Sequence, residues 1–311
     1  MYHPYFRGKQ YELITVRETA QILSASHFVP IIEPVKESLG GLERTLKAVC
    51  DANGQAIVII NPHHGVHSED GQSISTMVKD SFCDNPKIMV GILLGEDMLI
   101  EDVKAYCDEH DGQEVALIHA GFTDANGLVG KLGGKIGDMR HIFFEKYCKK
   151  LYRKHFVGSK RILLYDGFVR RRNKDHPALE FFSDLHVTYE EDGMDGFGDF
   201  LIVGDDYSES GGPAYAVAIH LTFIDPTKEN QMYIYHFVSD SQDTPTDPAG
   251  KFGEALNLMM GKLLEPNNHI FQSTAVAEFR DLHESGHFPG LGYLKKLSLK
   301  HHIETLKDFL G

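Results

Sequence analysis

The chain has 311 residues, 42% hydrophobic and 24% charged, with a formal net charge of −14. That much apolar side chain supports a packed core and excludes a disordered chain, while the acidic excess opposes general affinity for nucleic acid or an anionic membrane. Cys50, Cys83, Cys107 and Cys148 are isolated from one another, which argues against a CxxC metal knuckle or a disulfide framework and for reduced thiols.

The opening MYHPYFRGKQYELITVRE carries Arg7, Lys9, Arg17 and Glu18 where a leader would need an apolar block. With no apolar run of the roughly 18 residues that a spanning helix needs, the expectation is a cytoplasmic protein without membrane contact. From about residue 27, short β-branched runs alternate with amphipathic stretches. The runs are 27–34 (HFVPIIEP), 56–62, 88–95, 114–121, 140–146, 161–167 and 199–206 (DFLIVGDD). Between the first runs, Leu39, Leu42, Leu46 and Val49 share one helical face that stops at Asn53-Gly54. Apolar strands joined by helices imply parallel pairing buried on both faces.

Most of these strands end in a polar side chain: Glu33, Asn61, His119, Glu145, Asp166 and Asp205 or Asp206. In a closed barrel such ends converge on one rim, whereas in an open sheet only those at the switch point meet. No glycine-rich phosphate fingerprint follows any strand. The expected fold is therefore α/β, a distorted TIM-like (β/α)₈ barrel over residues 1–311. A β-hairpin is inserted at 207–241, with runs 214–224 and 231–238, and helices follow at 248–264, 274–285 and 293–310, the last two forming a helical extension over 274–311. HIFQ (269–272) reads as a late strand.

The stretches MYHPYFRGKQYELITVRE, VPIIEPVKES, IVIINP and GLGYLKKLSLKHHIE resemble an uncharacterised bacterial family related to the phage-associated "beta protein" family. That resemblance implies a defence or mobile-element setting and a nuclease-like partner. It assigns no residue a role.

Glu33, His119, Asp166 and Asp205 are the candidate catalytic residues, because carboxylates and an imidazole meeting at a rim can exchange protons or hold a divalent metal. Asn61, His63 and Glu145 would line the same mouth. No cofactor fingerprint is present, and His63, His64 and His67 lack a metalloprotease spacing. Residues 146–174 hold eleven Lys or Arg and one acid, a segment of +10 in a chain whose remainder is −24. Within it Arg170, Arg171 and Arg172 are candidate ligands for an anion, since guanidinium forks bind phosphate bidentately. Arg7 and Lys9, read as preceding the first strand, belong at the barrel's bottom face or as a plug across it, and are secondary ligand candidates. His220 and His236 fall in facing runs of the hairpin, with Tyr233, Tyr235 and Phe237 on one side.

Two readings follow. One is a hydrolase doing hydrolytic or phosphoryl chemistry on a phosphorylated, nucleotide-like small molecule or a nucleic-acid end. The other is a non-catalytic scaffold that uses the basic loop and hairpin to engage a nuclease-like protein.

Overall fold

The structure, a computed structural model, describes residues 1–83, 85–209 and 212–311. It divides into two compact units, residues 1–165 with 188–200 and residues 166–187 with 201–311. Residues 1–311 read from sequence as one barrel domain. The division follows from two separate apolar cores, one inside the barrel and one under a second sheet. Residues 210 and 211 of the expected 207–241 insert lie outside the described residues.

In the first unit, parallel strands β1 (Tyr2–Phe6), β2 (Ile31–Ile32), β3 (Ala56–Ile59), β4 (Ile88–Leu94), β5 (Val115–His119), β6 (Arg140–Phe144) and β7 (Lys160–Tyr165) pair in order. After β8 (Leu179–Ser183), which belongs to the second unit, β9 (Gly196–Asp199) pairs with both β7 and β1 and closes an eight-stranded barrel of the expected TIM type. Helices follow most strands, including Gly40–Asp51, which buries Leu42, Leu46 and Val49 as its periodicity predicts. Ile31, Ile57, Ile59, Leu93, Ile118, Ile142 and Ile162 belong to the buried core cluster of this unit. Their neighbours along each strand therefore face outward.

Two barrel strands differ from expectation. β1 carries Pro4, which cannot donate to a ladder, so its run does not read as a strand. β9 is Gly-Phe-Gly-Asp, and the apolar run after it turns instead of extending, with Leu201 at φ 49°. Asp205 and Asp206 therefore do not sit at a strand tip, and Arg7 follows the C-terminal end of β1, on the mouth side.

In the second unit, β10 (Ala218–Asp225) and β11 (Gln231–Val238) form the expected hairpin, and β8 adds to it in the order β10-β11-β8, all antiparallel. Ile219, Leu221, Phe223 and Phe237 face a core built with Phe252, Leu256 and Met259 of helix Pro248–Leu264 and Val276 and Phe279 of helix Thr274–Ser285. Tyr233 and Tyr235 pack on the same core, as their alternation predicts. Helix Leu291–Leu310 covers the outer edge of β10, where His301 Nε2 donates to the Thr222 carbonyl at 2.8 Å. Residues 269–272 form no strand.

A Cβ at Gly198 would run into the His3 carbonyl oxygen, which is backbone and cannot yield, whereas one at Gly91 would meet methyl groups of Ile57 and Ile118 at 2.9 and 3.0 Å. Gly91→Ala should cost about 1–3 kcal/mol as an overpacked core. Gly198→Ala should cost more, because it separates the closing strand from β1. Chemical denaturation of the two variants checks the order, and a Gly198→Ala protein as stable as wild type would contradict the packing at the barrel seam.

Candidate functional site

The first rim residue is consumed by structure. Glu33 follows β2 and is fully buried. One carboxylate oxygen accepts from the Tyr5 hydroxyl at 2.8 Å and from the Arg7 guanidinium, and the other accepts from the backbone amides of His63 and His64 at 3.0 and 3.1 Å. Arg7 lies over the rings of Tyr5 and Phe200. Tyr5, Phe144 and Phe200 pack on one another at centroid distances of 5.0 to 5.6 Å. These buried rings and the Arg7–Glu33 pair form one packed cluster at the C-terminal ends of β1 and β2. Arg7 therefore belongs to this cluster and not to the bottom face.

His119 does not join the mouth. It alternates with the inward Ile118 and stacks on the outward Phe143 at 4.7 Å. The His141 Nε2 lies 3.0 Å from the Ile136 carbonyl, so it carries a proton and leaves Nδ1 to accept from His119 Nε2 at 3.0 Å. His119 Nδ1 then accepts from the Tyr152 hydroxyl at 2.7 Å. Every proton in this chain is assigned. Burial holds His119 well below the ordinary imidazole range and His141 at about 4. Both rings are neutral and sealed.

Asn61 serves as a peptide mimic: its amide donates to the Leu93 carbonyl at 2.9 Å and its oxygen accepts from the Leu93 amide at 2.8 Å, clamping the end of β3 to β4. Asn61 and His63 also border a pocket of about 700 Å³ whose charged lining is Glu96, Asp97, Asp102 and Glu109, a wall that repels anions. Glu145 pairs with Lys149 at 2.6 Å in a largely solvent-exposed ion pair. His67 has both ring nitrogens engaged, by the Lys36 carbonyl at 3.1 Å and the Ser73 hydroxyl at 3.2 Å.

The remaining sequence candidates lie in the second unit. The Asp166 carboxylate accepts from the amides of Phe168 and Asp205 at 3.1 and 2.8 Å, fastening the turn after β7 to the 204–206 turn. Desolvation raises its pKa to about 6 against those two donors, with Asp205 and Asp206 adding to the rise. Asp205 enters this arrangement through its backbone.

Arg170, Arg171 and Arg172 line a cavity of about 870 Å³ with Lys174, Lys295, His176 and His220, and no carboxylate occurs among its described lining residues. The loop is held in shape. Arg171 grips Glu180 through two bonds of 2.6 and 2.9 Å, Arg172 Nε donates to Asp175 at 2.6 Å, and Arg170 donates to the Asp206 carbonyl at 2.8 Å. Lys174 is exposed and has no ion pair among the described residues.

Sequence reasoning missed what stands beside this cavity. His220 and His236 pair directly across β10 and β11, as expected, with their Nδ1 atoms 2.7 Å apart. His176, from the loop before β8, stacks on His236 at 4.4 Å. Burial is the main cause holding all three imidazoles below the usual range, His236 at about 4. His176 is remote in sequence from both partners, with no periodicity to connect them.

No family model matches the chain, and no curated protein matches it. Among solved structures the chain is similar to a noncanonic maltogenic α-amylase, AmyB, from Thermotoga neapolitana, with a TM-score of 0.36 and 9% identity over 67% of this chain and 69% of that one.

Two outcomes test these assignments. Glu33→Gln removes the carboxylate that pairs with the buried Arg7 and should destabilise the barrel by about 3–5 kcal/mol. Urea unfolding measures it, and an unchanged midpoint would show that the pair is dispensable. Asp166 should titrate near pH 6, as read by carboxyl carbon NMR against Asp166→Asn. Because its folded value lies above 3.8, its stabilising contribution is complete below about 3.8 and is lost as pH rises through about 6. A midpoint near 3.8 would refute that rise.

Proposed function

We propose that the protein binds a phosphate-bearing, nucleotide-sized anion in the cavity of its second unit and performs hydrolytic or phosphoryl chemistry on it. The observation that carries this reading is the cavity wall: Arg170, Arg171, Arg172, Lys174 and Lys295 line it, with Arg171 and Arg172 held in place by Glu180 and Asp175 behind it, in a chain of −14. A ligand's negative charge would be favoured beside this run of cationic side chains, whatever the acidic balance of the whole chain. A volume of about 870 Å³ suits a nucleotide-sized molecule. Asp166, two residues before the cavity residue Phe168, supplies a carboxyl that exchanges a proton near neutral pH.

The site thus belongs to the second unit, and no described residue of the barrel unit lines it. The resemblance to the phage-associated beta protein family gives the reading its setting, a bacterial defence or mobile-element system. The non-catalytic alternative, a subunit that partners a nuclease-like protein, shares the cavity and differs in lacking turnover.

Calorimetric titration with AMP, ADP and ATP, alongside mass-spectrometric analysis of products, tests it. Binding should weaken at least tenfold in the double variant Arg170→Glu, Lys174→Glu, both exposed positions, and should fall with added salt. Turnover should drop in Asp166→Asn while binding persists. Failure of all three nucleotides to bind, or equal binding by the charge-reversed protein, overturns the anion site. Binding without any product overturns the catalytic half and favours the scaffold.

A further inference from the structure

We propose that His176, His220 and His236 form a site for one divalent transition-metal ion of the zinc class, opening on the basic cavity. Among the described residues these three side chains are the group of His, Cys or carboxylate ligands close enough to share an ion, with one nitrogen from each lying within 4.8 Å of the others. Zinc binds imidazole nitrogen at about 2.0–2.1 Å in a tetrahedral shell, which sets its ligand atoms about 3.3 Å apart. Bringing the 2.7 Å contact of His220 and His236 to that spacing needs only a small opening of two neighbouring side chains.

The surroundings orient the rings as a metal site requires. Glu180 Oε1 accepts from His236 Nε2 at 3.0 Å, so Nε2 holds the ring's proton and the Nδ1 lone pair is directed at His220. Glu180 is itself locked by the fork of Arg171. A carboxylate fixing the tautomer of a histidine whose second nitrogen faces other imidazoles is the outer-shell pattern of metal-ligating histidine. Ion binding would then shift the His220 proton from Nδ1 to Nε2 and leave that ring neutral.

His176 supplies the independent observation. Its side chain is 1% exposed, and its Nδ1 is buried without a hydrogen-bond partner, 3.9 Å from Glu180 Oε1 and so beyond hydrogen-bond reach. A buried ring nitrogen left unsatisfied is costly unless something absent from the chain completes it. Three neutral nitrogens and no carboxylate on the metal side select a borderline ion over magnesium or calcium.

Three protein ligands leave a fourth position, and His176 and His220 line the cavity, so that position faces the space holding Arg170 to Arg172. A dication there adds positive charge to an already cationic wall. Metal and phosphate should therefore bind cooperatively and reciprocally, a corollary that rests on the anion-site reading, whereas the metal site itself does not.

Metal-stripped full-length protein is titrated with Zn²⁺ by calorimetry and with Co²⁺ by visible absorption. One ion per chain is expected, with the intense d–d bands of four-coordinate Co²⁺. His220→Ala should abolish them, His176→Ala should weaken binding, and Glu180→Gln should weaken it roughly ten- to a hundredfold by releasing the His236 tautomer. Circular dichroism confirms folding, and the loop position of His176 provides the variant least demanding of the sheet. Absence of binding to wild type, the weak spectrum of six-coordinate Co²⁺, or unchanged affinity in folded His176→Ala and Glu180→Gln overturns the site. Repeating the Co²⁺ titration with AMP should tighten it. Metal binding indifferent to AMP would retain the histidine site and refute the cavity as the anion's place.

Discussion

The barrel is organised around one buried carboxylate. Glu33 takes four donors from three places in the sequence: the end of β1, the residue just beyond it, and the loop after β3. The carboxylate is accommodated at zero exposure because each oxygen is hydrogen-bonded and a guanidinium pairs with one of them. Tyr5, Phe144 and Phe200 pack with that knot at the C-terminal end of the barrel, the end where (β/α)₈ proteins place their chemistry.

This accounts for what sequence could and could not reveal. The β-branched runs announced most of the strands, because parallel strands buried on both faces leave little ambiguity of composition. The inference that strand tips gather at one rim held for Glu33 and failed for His119. A period of two places neighbouring residues on opposite faces, and a one-residue offset sends the imidazole into the helix layer. Pro4 hid the first strand, and the glycines of β9 hid the last, their lack of side chains being the very property that lets the ring close. The basic loop was visible as a charge run, yet the connection of the adjoining His176 and Glu180 to His220 and His236 depends on contacts separated by tens of residues.

The two cavities have opposite electrostatic character. The one beside Asn61 and His63 is bordered by four acids, while the one in the second unit has five cations and no acid among its described lining residues. Polar residues after β3 therefore do not mark a binding site for an anion. Asn61 instead replaces a missing ladder partner, and the His63 and His64 amides cap Glu33. A rim rich in polar side chains is consistent with catalysis in general, but here those side chains are engaged by backbone groups and by neighbouring side chains.

The path of the chain has a consequence for biosynthesis. β8 is threaded between β7 and β9, so it is made before the barrel's closing strand, yet its ladder partner β11 lies some fifty residues further on. During translation the barrel can seal while residues 166–187 hang as an unpaired loop, with Leu179 and Phe181 carrying apolar surface in search of a ladder. The nascent protein therefore passes through an interval in which an adhesive strand edge is displayed on an otherwise completed scaffold, a period of vulnerability that ends only when the hairpin emerges from the ribosome.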